Sequence, residues 1–131
     1  MKILQVCNKV PYPPRDGGSV AMFNLARGLA VGGNQVDIIS METYKHKDTE
    51  QGKPLPENIT HHSIPVETHI KIIELVKNLL FSRMPYNAVR FIDEGFRGHL
   101  IEMLEAKKYD IVQLEGLYLS PYIKTIRKHS L

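Results

Sequence analysis

The chain has 131 residues, of which 43% are hydrophobic and 24% charged, with one cysteine and a formal net charge of +3. This is the composition of one ordinary globular domain; a lone cysteine excludes an internal disulfide framework, and no apolar run approaches the ~18 residues of a membrane span or the core of a signal peptide, so a soluble, cytoplasmic protein is expected. The basic surplus lies entirely in the last 25 residues, where Lys107, Lys108, Lys124, Arg127 and Lys128 face Asp110 and Glu115; without interleaved aromatic residues this reads as a solvated helix face and a basic final turn, not a nucleic-acid interface.

Lys2 to Cys7 is short and rich in β-formers, which predicts a buried parallel strand. Asn8 to Gly18 follows, and its three prolines and paired glycines predict an ordered loop. From Ser19 onward Met22, Leu25, Ala26, Leu29 and Ala30 form one helical stripe that ends at Gly32-Gly33, a left-handed cap. A second strand over Gln35–Ser40 completes a βαβ unit, which requires a parallel sheet.

The polar stretch from Thr43 to Asn58 predicts a long surface loop, and the alternation over Ile59–Val66 predicts a third strand. Ile72, Leu75, Val76, Leu79 and Leu80 predict a second helix, broken at Met84-Pro85, and a third is expected from about Ala88 to Lys107 with Phe96, Leu100, Met103 and Leu104 on its apolar face. Tyr109–Leu114 reads as a fourth, buried strand, and Ser120-Pro121 as the N-cap and first residue of a last helix. The alternation of strands and helices predicts a Rossmann-like, doubly wound α/β sheet of about four parallel strands.

In such sheets ligands lie outside the carboxyl ends of the strands where the strand order reverses. An order of 3-2-1-4 puts that crevice between strands one and four, where the Gly17-Gly18 loop and Glu115-Gly116 meet. The glycines open a helix start to an anionic or hydroxyl-rich ligand, and Arg15 adds a cation; a loop that merely turns explains the glycine pair equally well. Glu115 is a candidate acceptor of sugar hydroxyls or a base, or alternatively an N-cap or salt-bridge partner. The loop has neither the G-x-G-x-x-G spacing of dinucleotide folds nor a P-loop, which disfavours nicotinamide binding and nucleotide hydrolysis. No metal site is expected: His61 and His62 fall on opposite strand faces, and His99 reads as a core histidine. Cys7 reads as a buried, inert thiol.

Lys2-Ile-Leu-Gln-Val followed by P-Y-P-P-x-x-G-G, the helix ending in Gly-Gly, N-Q-V-D-I-I-S, Phe81-Ser-Arg-Met-Pro-Tyr86 and Tyr109-Asp-Ile-Val-Gln-Leu-Glu-Gly116 together resemble the N-terminal domain of family 4 retaining glycosyltransferases, which have the GT-B fold. The resemblance covers essentially the whole chain. It implies transfer of a sugar from a nucleotide-sugar donor to a glycan or lipid-linked acceptor in polysaccharide biosynthesis, without a metal or other cofactor. Gly17, Gly18 and Arg15 would then lie where the donor diphosphate and sugar approach, and Glu115 and Asn8 on the acceptor side. The chain corresponds to a single acceptor-side domain without the donor-binding partner domain, so inactivity alone is expected.

Two other roles compete. One is a stand-alone binding module that self-associates through the open edge of strand four. The other is peripheral contact with the inner membrane surface through the Ile72–Leu80 helix, whose Lys71, Lys77 and Arg83 make a polar face too weakly basic to displace the reading as a core helix.

Overall fold

The computed structural model describes residues 1–44, 54–67, 89 and 91–130. Its elements in chain order are β1 (Lys2–Cys7), α1 (Gly17–Val31), β2 (Gln35–Glu42), β3 (Ile59–Pro65), α2 (Glu94–Ala106), β4 (Ile111–Glu115), a 3-10 helix (Leu117–Tyr122) and α3 (Ile123–His129). The strands form one parallel sheet in the order β3-β2-β1-β4. The expected helix over Ile72–Leu80, with its membrane-surface alternative, lies outside the described residues, as does most of the loop after Thr43.

Two apolar layers sandwich the sheet, because strand side chains alternate between faces. Cys7, Val36, Ile38 and Ile59 face Met22, Ala26 and Ala30 of α1. On the other face Leu4, Val6, Ile39 and Met41 pack with Phe96, Leu100, Leu104, Leu119, Tyr122 and Ile126. The fold is therefore α/β, Rossmann-like and doubly wound. Helices cover both faces of the central strands, which explains the nearly continuous apolar runs of β1 and β2.

α1 starts at Gly17 rather than Ser19, because Asp16 is its cap. The Asp16 carboxylate accepts from Ser19 N at 2.8 Å, while the Ser19 hydroxyl accepts from Asp16 N at 3.0 Å, a reciprocal capping box. Ala at position 16 is expected to cost about 1 kcal/mol, read as a lower urea midpoint with an unchanged slope. The buried face of α1 is also turned from the expected stripe: Phe23 is buried against the Tyr12 ring, with centroids 4.7 Å apart, whereas Leu25 is 39% exposed. The helix ends as expected, with Gly33 in the left-handed region at φ 81°.

Three other expectations are corrected. β4 is a half-buried edge strand, not a buried one, since it pairs with β1 alone among the described strands. Ser120 caps nothing: Gly116, at φ 111°, turns the chain from β4 directly into the 3-10 helix, so Ser120 and Pro121 already lie inside helical turns. His99 is exposed and not in the core, because Phe96, Leu100 and Leu104 supply the buried face of α2; its Nδ1 lies 3.0 Å from Gly95 O. α2 itself begins at Glu94, where an extended Asp93 caps the amide of Phe96.

At the amino end of the strands, Asp37 on β2 accepts from Thr60 Oγ1 at 2.6 Å, Tyr109 Oη at 2.8 Å and Lys107 Nζ at 2.5 Å. This network joins β2, β3 and the turn from α2 into β4. Burial works to raise the Asp37 carboxyl, but the bonds from Lys107, Thr60 and Tyr109 and the charge of Lys107 outweigh it and hold the group below the usual carboxylate range. Burial and then Asp37 push the Tyr109 phenol upward.

Candidate functional site

The observed order puts the reversal of winding between β1 and β4, and the parallel register aligns Gln5 with Gln113 and Cys7 with Glu115. Residues 5, 7, 113 and 115 share the α1 face of the sheet. Gln113 Nε2 donates to Glu115 Oε1 at 2.6 Å, and Gln5 Nε2 donates to the same oxygen at 3.1 Å and to Met22 O of α1 at 3.1 Å. Two side-chain amides thus hold one carboxylate oxygen. Oε2 has no bond to a described residue, and Glu115 is half-buried.

Asn8 lies beside Gly116. A Cβ built on Gly116 would stand 3.9 Å from the Asn8 amide group, so the two chain segments leave β1 and β4 side by side. Asn8 Oδ1 is buried and has no protein partner, and the same is true of Gln5 Oε1. Gln5 Nε2 is fully used, and the acceptor of this group that lies outside the buried interior without a bond to a described residue is Glu115 Oε2; Asn8 Oδ1 and Gln5 Oε1 lie inside. A ligand group that meets Glu115 Oε2 must bring a hydrogen-bond donor, as a hydroxyl does.

The loop after β1 contributes differently. Lys9 Nζ lies 2.6 and 2.7 Å from the two oxygens of Asp16 and extends over Gly18, where a Cβ would stand 2.6 Å from it. The hydrogen bond from Lys9, followed by that from the Ser19 amide, holds the Asp16 carboxyl well below the usual range. Gly17 has no atom within 4 Å of its Cβ position, so its main chain can be approached closely. Arg15 is exposed in the same turn, and its amide donates to Ser19 Oγ at 2.9 Å. The loop therefore carries two cations, Lys9 and Arg15, against one carboxylate that caps α1. Sequence reasoning identified Arg15 and missed Lys9, whose partner is set by a turn across seven residues.

Cys7 is fully buried, as expected, and burial and then the nearby Glu115 charge push its thiol upward, which disfavours the thiolate. Among the described residues no three His, Cys, Asp or Glu side chains converge on a point that would hold a metal. Two surface clefts lie away from the β1–β4 crevice. One of about 210 Å3 is lined by Glu42, Thr43, Tyr44, Pro65, Val66 and Glu67 at the ends of β2 and β3, and one of about 220 Å3 lies between the ends of α2 and α3 around Glu105 and His129. Among the described residues no helix is long and apolar enough to cross a membrane.

No protein-family model matches the chain, and no curated protein matches it either.

Proposed function

We propose that this domain is the acceptor-side wall of a retaining glycosyltransferase, which moves a sugar from a nucleotide-sugar donor to a glycan or lipid-linked acceptor. The observation that carries this reading is the half-buried Glu115 carboxylate at the switch point of the sheet, held through Oε1 by Gln5 and Gln113 with Oε2 unbonded among the described residues. An acceptor hydroxyl donates to Glu115 Oε2, and the fixed carboxylate orients the attacking hydroxyl. The donor diphosphate approaches along the first loop, over Gly17, with Arg15 and Lys9 as cations and Gly18 beneath the Lys9 side chain. Glycosyl transfer draws much of its rate from holding both substrates and the departing diphosphate together, so one wall binds an acceptor without transferring sugar.

Calorimetric titration of the 131-residue chain with methyl glycosides of the gluco, galacto and manno series tests this. Saturable binding by at least one glycoside is expected, weakened about tenfold or more by Glu115→Ala, since a hydrogen bond to a charged group contributes about 1.5–3 kcal/mol. Binding that is indifferent to Glu115→Ala, or sugar transfer by the chain alone, would overturn it.

A second reading has its own observation. β4 has one open edge among the described strands, and Ile111 at its start is 43% exposed. Such an edge pairs with another strand unless it is covered, which suits an interaction module that self-associates. Light scattering separates the two, since a monomer across the micromolar range removes the edge-pairing role.

A further inference from the structure

Gln5 lies on the central strand with no exposed surface, between Leu4 and Val6 of the apolar core. Its Nε2 is shared between Met22 O and Glu115 Oε1. That sharing fixes the amide: the flipped orientation would set Oε1 against two acceptor oxygens. Oε1 is consequently left buried without a protein partner. A buried, unpaired carbonyl is destabilising, whereas an apolar side chain of the same shape would remove the penalty. The groups that would lose its N–H are well provided for. Met22 O lies inside α1 and has an intrahelical donor, and Glu115 Oε1 keeps the bond from Gln113. Folding therefore gains little from an amide at position 5.

We infer that Gln5 is a positioning residue: it ties Glu115 to the main chain of α1 and fixes the carboxylate for a hydroxyl-bearing ligand, at the expense of an unpaired buried oxygen. The inference rests on the acceptor-site reading above and names the residue that gives this site its geometry. With Gln113 on the same strand and Gln5 on the neighbouring strand, the carboxylate is held from two directions. Without Gln5 it follows β4 alone, a half-buried edge strand.

Gln5→Met, which keeps length and shape and lacks both amide groups, is the test. Thermal unfolding is expected at the wild-type midpoint or above it, while glycoside affinity falls about fivefold to tenfold, less than in Glu115→Ala because the carboxylate stays and keeps its bond from Gln113. Gln5→Glu, which puts an acceptor where the donor stood, is expected to lose affinity at least as strongly. A purely structural residue would give the opposite pattern: a midpoint lowered by more than about 5 °C, or failure to fold, with affinity retained in whatever folds. That pattern overturns the inference, as does equal affinity in wild type and Gln5→Met, which leaves the acceptor site itself standing. If wild type takes up none of the glycosides, the acceptor-site reading fails and this inference with it.

Discussion

Asp37→Ala is expected to lower the unfolding free energy by about 3 kcal/mol, the usual cost of removing one member of a buried ion pair, and the thermal midpoint by about 10 °C. Three donors from three segments lose their acceptor at once: Lys107 at the end of α2, Tyr109 before β4 and Thr60 on β3. Tyr109 is itself buried, so its hydroxyl has no alternative partner in water, whereas Lys107 is partly exposed and can turn outward. Asp37→Asn keeps an acceptor but lacks the charge and should fall between Ala and wild type. The same carboxylate carries a pH dependence. Its pKa is depressed in the folded protein, so its contribution is fully present above the unfolded value of about 4 and is lost as the pH falls through the lower folded value. Urea midpoints measured from pH 7 down to about pH 2 should therefore decline in wild type below about pH 4, with a shallower decline in Asp37→Ala.

Phe96→Ala is expected to cost about 4 kcal/mol. Phe96 is fully buried on α2 and meets the Tyr122 ring edge-on at 5.4 Å. The Tyr122 hydroxyl donates to Phe91 O at 2.7 Å and accepts from Asp93 N at 2.9 Å, so the ring pair also fixes the start of α2. Because Tyr122 ends the 3-10 helix that follows Gly116, the loss reaches the candidate site from below. Phe96→Leu retains most of the apolar volume and should cost much less. Urea unfolding of the two variants separates cavity formation from loss of the ring contact: a cost below about 2 kcal/mol for Phe96→Ala would show that the α2 layer is loosely packed.

The strands were legible because three of the four announce themselves, while β3 left only a weak alternation. Lys2–Cys7, Gln35–Glu42 and Ile111–Glu115 are short runs rich in aliphatic residues, and the helix after the first loop closes the βαβ unit with Gly33 in the left-handed conformation that two glycines promised. The misreadings share one physical cause. Ser120, His99 and Leu25 were assigned from local spacing, and each was decided by something non-local: the turn at Gly116, the rotation of α2 about Phe96, and the Tyr12 ring on Phe23. The site was partly legible. Glu115 and the glycines were named as candidates from position and chemistry and Asn8 through the family resemblance, but Lys9, Gln5 and Gln113 were not named. The two glutamines did leave a signal, a lone polar residue in the middle of two aliphatic strands, Ile-Leu-Gln-Val and Ile-Val-Gln-Leu. Only the parallel register of β1 with β4 makes them neighbours.

The measurement closest to the central claim is amide shift mapping of the isotope-labelled chain with methyl glycosides on one side and pyrophosphate on the other. The account predicts saturable shifts from a glycoside at Asn8, Glu115 and Gly116, absent in Glu115→Ala, with pyrophosphate moving Lys9 and Gly17 instead. Glycoside shifts centred on the clefts at Glu42 or Glu105, or none at Glu115 at saturating sugar, would contradict it.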